Sequence, residues 1–288
     1  MSMCSLVLPI PPSLGYLTLT FKSFVLYFLQ IQKCGTSLFN TLWLHFCPEI
    51  LAKNPKLADR EDLIEYGLIK EYPMKEWCGP KVMFYNYPLV GFHWPWKAPS
   101  TYTHGGGVVQ KKGARMASDG KPPQEDEFHS FAMFRDPLER IKSAFSFRET
   151  TKLKIPHYSQ LEDPDISLED YAAEPHIANC QIKMVLGHRC HHYVDPAKLP
   201  VREALHRIAS PSFYFGLTDR WEESICLFHN WYGGSTKPFE LLNNRPTKRL
   251  DVPGDDKIHI MDIDTAFIAG ATRIFDERLK KAGCVASH

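Results

Sequence analysis

The chain has 288 residues, of which 44% are hydrophobic and 23% charged, with Gly 17 and Pro 22. That composition is globular and excludes a disordered tail, a collagen, a coiled coil or a low-complexity linker. Lys+Arg 34 against Asp+Glu 33 leaves a net charge of +1, so no bulk field announces a nucleic-acid or membrane-surface partner, and an anion would need a local site.

Residues 1–23 read as an N-terminal extension, with no clear signal anchor. Leu14 to Ile31 is largely apolar, but Lys22 and Gln30 interrupt it and Pro9, Pro11 and Pro12 precede it. A spanning helix needs about 20 apolar residues, and an anchor has a basic lead-in that is missing here. Val25 to Leu29, with Tyr27 and Phe28, reads instead as a short buried strand. Into its end runs Gln32-Lys33-Cys34-Gly35-Thr36-Ser37, followed by Leu38, Leu42 and Phe46 at helical spacing. A strand, a glycine turn and a helix at 36–47 can aim backbone N–H groups at one spot. The helix N-terminus, the Thr36 and Ser37 hydroxyls and the Lys33 charge then favour an anion there. Lys33 precedes the glycine, so this is not the nucleotide-triphosphatase pattern G-x-x-x-x-G-K-[ST]. Read in isolation, Thr36 and Ser37 serve equally well as plain helix caps.

A helix is expected at 61–70 and a strand over Lys81 to Tyr85. Phe84, Tyr85, Tyr87, Phe92, Trp94 and Trp96 surround His93; these rings suit either core packing or a platform for the mixed faces of a sugar. Residues 95–127 form a long polar loop. A second buried strand, His129 to Phe134, ends in Arg135, and Asp136, Pro137 and Glu139 are the N-cap, N1 and N3 of a helix that carries Ser143. An arginine at a strand's carboxyl end can grip phosphate through two parallel N–H bonds.

Further helices are expected near 168–173, 176–186 and 197–209. A strand over Phe213 to Leu217 leads into a helix at 219–232, capped by Asp219 with Glu222 at N3. Trp221, Ile225, Phe228 and Tyr232 recur on one core-facing side of it. A last amphipathic helix opens at Asp262 or Asp264. His188-Arg189-Cys190-His191-His192 invites a metal reading, but adjacent histidines point apart and no second ligand pair stands at zinc-finger spacing. The eight cysteines include no C-x-x-C pair. Cys180 and Cys190 could close a small loop in an oxidising compartment, while the plainer expectation is that most of the eight are buried thiols. Strands alternating with helices give an α/β class with a parallel sheet, in one domain over 24–288.

Four of these stretches, in order, resemble the sulfotransferases that use 3′-phosphoadenosine 5′-phosphosulfate (PAPS). Lys33-Cys34-Gly35-Thr36-Ser37 resembles their phosphosulfate loop, and Arg135-Asp136-Pro137 through Ser143 their 3′-phosphate motif. Ala178-Asn179-Cys180-Gln181 through Leu186-Gly187, and Phe215-Gly216-Leu217-Thr218 through Ser224, are similar to two motifs of the Golgi carbohydrate enzymes. The nearest subgroup holds the heparan and dermatan 2-O-sulfotransferases, and the likeness spans about residues 24 to 282. Gln32 stands where the family usually has proline.

The resemblance implies a P-loop-like three-layer fold, a central parallel sheet flanked by helices. It implies transfer of a sulfuryl group from PAPS to a hydroxyl acceptor, most naturally on a glycan, with no metal and no nucleic-acid partner. Cofactor binding falls to Lys33, Cys34, Gly35, Thr36, Ser37, Arg135 and Ser143, and Lys33 also assists the leaving oxygen. His93 is the base, from a Gly-His motif that Phe92 splits here, with His104 and His129 as rivals. The loop Asn244-Arg245-Pro246-Thr247-Lys248 corresponds to a region that closes over the cofactor in the family. Golgi membership would place an anchor and stem before the first strand, so the chain is read as either cytosolic or an incomplete gene model. The alternatives are a P-loop kinase-like phosphotransferase and a non-catalytic nucleotide-binding module of the same fold.

Overall fold

Continuous apolar runs such as Phe213–Leu217 need cover on both faces, unlike the alternating pattern of a half-wet sheet. The computed structural model describes residues 25–35, 83–85, 95–96, 128–147, 165–236, 238–241 and 263–284. Within them, β1 (Val25–Leu29), β2 (Met83–Tyr85), β3 (Phe128–Phe134) and β4 (Phe213–Leu217) form one sheet in the order β2-β1-β3-β4, parallel at every pairing. Ser130 to Phe134 and Phe213 to Leu217 are buried at every consecutive position. Both faces of the sheet are therefore covered there. The α/β class with a parallel sheet expected from the sequence is the one observed.

Six helices accompany the sheet among the described residues: α1 (Pro137–Phe147), α2 (Leu168–Ala173), α3 (Cys180–Leu186), α4 (Val201–Ala209), α5 (Trp221–Tyr232) and α6 (Ile263–Ala282), with short 3-10 turns at Pro196–Lys198 and Pro238–Leu241. The main core joins β1, β3 and β4 to α3, α4, α5 and α6 through Phe28, Phe131, Phe134, Phe215, Phe228, Phe267 and Phe275. A smaller cluster of Ile141, Phe145, Leu168 and Tyr171 packs α1 on α2. At the far end of α6, Arg278 donates to the carbonyls of Phe213, Ile208 and Ser210 and lies between the Phe215 and Trp231 rings. Burial there pulls its guanidinium down to about 10.

Several boundaries differ from the sequence reading, each for a local reason. The helix expected at 176–186 begins only at Cys180, because Asn179 takes a left-handed φ of 58°. The one expected at 197–209 is split at Pro200, which has no N–H to continue a helix. Asp219 does not cap α5, which starts at Trp221 after Arg220, and Arg220 instead forks onto Glu223 at 2.6 and 2.7 Å. The expected helices at 36–47 and 61–70, and most of the 95–127 loop, lie outside the described residues.

Helices α3 and α6 exchange caps. Asn179 Oδ1 accepts from the N–H groups of Ile263 and Asp264 at 2.7 and 3.2 Å, and the fully buried Asp264 carboxylate accepts from Gln181 and Ile182 at 3.0 and 2.8 Å. Each helix thus satisfies the orphan donors of the other, and an acidic group faces the positive end of α3. Two disulfides among the described residues add to this, Cys180–Cys190 at the start of α3 and Cys226–Cys284 between α5 and the second residue after α6. Four of the five described cysteines are therefore bonded, where the plainer expectation was buried thiols; Cys34 is buried, and Cys4, Cys47 and Cys78 lie outside the described residues. Among the described residues no helix is long and apolar enough to cross a membrane.

Candidate functional site

The order β2-β1-β3-β4 makes the chain run outward from β1 to β2, return to β3 on the other flank of β1, then continue to β4. The direction of winding reverses between β1 and β3. In open α/β sheets the crevice beyond the carboxyl ends of such a strand pair is where ligands sit, because the connections on either side diverge there. Lys33 to Gly35 follow β1 and Arg135 follows β3, so both expected binding stretches open onto this crevice.

The turn after β1 is bent by two left-handed residues, Lys33 at φ 64° and Gly35 at φ 65°. For glycine that conformation costs little, whereas for lysine it stores local strain of the kind tolerated where a side chain must be aimed. Gly35 is also a contact point, since a Cβ there would lie 3.1 Å from Thr218 Cγ2 and 3.5 Å from the Trp221 ring. Thr218, whose N–H continues the ladder onto the Phe134 carbonyl at 2.9 Å, brings the end of β4 to the same place. Three strand ends therefore converge.

Arg135 joins the first two. Its Nη1 donates to the Lys33 carbonyl at 3.3 Å, and Nη2 lies 3.6 Å from Glu139. The capping box expected at α1 is half formed: the Glu139 N–H donates to Asp136 Oδ1 at 2.9 Å, but the Glu139 carboxylate turns to Arg135 and Lys142. A carboxylate beside an arginine competes with any other anion for the guanidinium. Here it is 45% exposed, lies 3.6 Å from Arg135 and bonds Lys142 at 3.2 Å, so its hold on the guanidinium is weak. Ser143 sits one helical turn beyond Glu139 and is buried. Arg140 is buried as well and donates to the Ile177 carbonyl at 2.7 Å, tying α1 to the turn before α3.

The interior of the site is held by Gln181, to which the sequence reading gave no role of its own. Its Oε1 accepts from the Arg135 N–H at 2.9 Å and lies 3.5 Å from Cys34 Sγ, while its Nε2 donates to the Arg135 carbonyl at 2.8 Å. Trp221, read from the sequence as core, packs half-buried against the core; it also faces Gly35 and donates Nε1–H to the Glu240 carbonyl at 2.7 Å. The sequence marked Gln181 only as a motif member, and local spacing shows neither role.

Other candidates separate. His129 lies near the amino end of β3, six residues before Arg135 and paired with Leu26, so at ~3.3 Å per residue it stands roughly 20 Å from the crevice and is no rival base. Thr36, Ser37, His93, His104, Arg245 and Lys248 lie outside the described residues. Of the aromatic stretch, Pro95 accepts from the Tyr27 hydroxyl at 2.7 Å, and Trp96 donates Nε1–H to Ser130 Oγ at 3.0 Å beneath the Arg207 guanidinium. Among the described residues no three His, Cys, Asp or Glu side chains are gathered as metal ligands. In the His188–His192 stretch, Cys190 is bonded to Cys180, and His191 is pulled down to about 4 by burial and then by His192, Arg189, Lys183 and His176.

Comparison of the chain with family models, with curated proteins and with solved structures finds no match.

Proposed function

We propose that this chain is a PAPS-dependent sulfotransferase with a P-loop-like three-layer fold, acting on a hydroxyl acceptor, most naturally of a carbohydrate. The observation that carries the reading is the juxtaposition of Lys33 and Arg135 across β1 and β3 at the reversal of strand order, linked through the Lys33 carbonyl. One loop supplies a point charge beside glycine and the other a planar fork, which suits a ligand with phosphate groups at two ends.

In this reading Lys33, Cys34, Gly35, Thr36 and Ser37 hold the phosphosulfate, and Arg135 with Ser143 holds the 3′-phosphate, displacing Glu139 from the guanidinium. The acceptor oxygen attacks sulfur in line, its proton passes to His93, and the new O–S bond forms as the S–O bond to the bridging oxygen breaks. Lys33 stabilises the charge growing on that oxygen, which departs on adenosine 3′,5′-bisphosphate. Positioning and preorganised charge supply most of the acceleration, as in phosphoryl transfer. The two disulfides support folding in an oxidising, luminal compartment, where such bonds persist.

Incubation with sulfur-labelled PAPS and a panel of glycans, phenols and alcohols tests the proposal. Label transferred to a glycan is the expected result; no transfer to any acceptor, together with tight magnesium-dependent ATP binding, would replace it with the phosphotransferase reading.

A further inference from the structure

Beyond the end of the β3 ladder, the N–H and carbonyl of Arg135 need partners, and a single buried side chain supplies both. Gln181 is 0% exposed; its amide oxygen accepts from Arg135 N and its amide nitrogen donates to Arg135 O, at 2.9 and 2.8 Å. These partners fix the orientation of the amide, because only a group with one acceptor and one donor face matches a peptide unit. Glutamate lacks the donor and methionine lacks both. The same oxygen lies 3.5 Å from the thiol of Cys34, between Lys33 and Gly35. Gln181 is itself anchored, since its backbone N–H is held by the buried Asp264 carboxylate at 3.0 Å, and the neighbouring Cys180 is bonded to Cys190.

We infer that Gln181 is the positioning residue that sets the separation of the Lys33 loop and Arg135, and with it the fit of a ligand carrying phosphates at two ends. The ligand part rests on the sulfotransferase reading; the clamp itself does not. At this level the loop after β1 and the end of β3 are joined directly by the long Arg135–Lys33 bond of 3.3 Å, and Gln181 reaches both. Losing the amide loosens both loops at once and also strands two part-buried backbone groups, so the cost falls on the geometry of the crevice.

The test uses Gln181→Met, which preserves approximate length and burial, Gln181→Glu, which keeps the acceptor alone, and Leu279→Ala as a control of lowered stability. Leu279 is buried 15 residues along α6 from Asp264, about 22 Å at 1.5 Å per residue. Hydrogen exchange in the ligand-free chain should rise at least tenfold at residues 31–35 and 134–136 in Gln181→Met, relative to the control. Calorimetry should show adenosine 3′,5′-bisphosphate weakened tenfold or more in both Gln181 variants and unchanged in Leu279→Ala. Unchanged protection in both loops, or wild-type affinity in Gln181→Met, overturns the inference. Wild-type protein that binds no bisphosphate overturns the sulfotransferase reading, whereas loop protection still decides the clamp.

Discussion

Replacing Arg135 with alanine should separate two nucleotides that differ by one phosphate. This guanidinium donates to the Lys33 carbonyl at 3.3 Å and pairs with Glu139 at 3.6 Å, with its side chain 21% exposed. A charge-assisted bond to phosphate in such a half-buried setting contributes about 1.5–3 kcal/mol. Displacing Glu139, 45% exposed, costs about 0–1 kcal/mol of surface pairing. The net of about 0.5–3 kcal/mol corresponds to a loss of roughly 2- to 160-fold in affinity for adenosine 3′,5′-bisphosphate. AMP, without the 3′-phosphate, should lose less than about threefold. Glu139→Gln acts in the opposite sense and should tighten the bisphosphate a few-fold at low salt, with the gain shrinking as salt screens the pair. Isothermal calorimetry of both variants with both nucleotides measures all four quantities. Equal losses for AMP and the bisphosphate in Arg135→Ala would refute the assignment, as would weaker bisphosphate binding in Glu139→Gln.

Lys33→Ala retains a non-glycine residue at φ 64°, so backbone strain is matched and the missing ammonium dominates. Turnover at saturating PAPS should fall by about 10- to 150-fold, from about 1.5–3 kcal/mol, and more than nucleotide affinity does; steady-state kinetics would expose an error if kcat were unchanged. His93→Ala should lower kcat by about 10²–10⁴ with nucleotide affinity intact, and the same loss in His104→Ala with His93→Ala still active would move the base to the long loop. Removing the Cys226–Cys284 bond by double alanine substitution releases a 58-residue separation and should cost about 4 kcal/mol in the chain-entropy treatment; an unchanged urea midpoint would deny the bond in solution. His191 is held near 4 when folded, against 6.5 unfolded. The unfolded chain therefore takes up its proton first, and the stability present above pH 6.5 is lost as pH falls towards 4. Partial exposure limits that loss to ~1 kcal/mol, and His191→Gln should flatten the acid limb of the stability curve by that amount, as read by urea titrations between pH 7 and 4.

Val25–Leu29 and Phe213–Leu217 were legible from the sequence because an unbroken apolar run of five residues has few other uses, and Asp136 with Pro137 marks a helix start by its own chemistry. Lys33, Gly35 and Arg135 could be picked out for a similar reason: each follows a strand that the local pattern already marks. The sequence also determined that these strands need cover on both faces. What only the tertiary structure decided is which strand neighbours which, and hence that the Lys33 loop and Arg135, 102 positions apart, meet at one crevice. It likewise decided the partners of polar groups. Asp264 stands in the first turn of its own helix, as expected, but its carboxylate caps α3, while Asn179 caps α6 in return. Asp219 had the right residue type to cap α5, yet Arg220 stands at that position and turns to Glu223. Gln181 stood out only as a member of a motif; its role was not legible, because its donor and acceptor match a peptide unit 46 residues away. Hydrogen-bonding groups in a sequence announce only that they need partners; in a buried crevice the nearest one of suitable geometry is chosen by packing, and packing is a property of the folded chain.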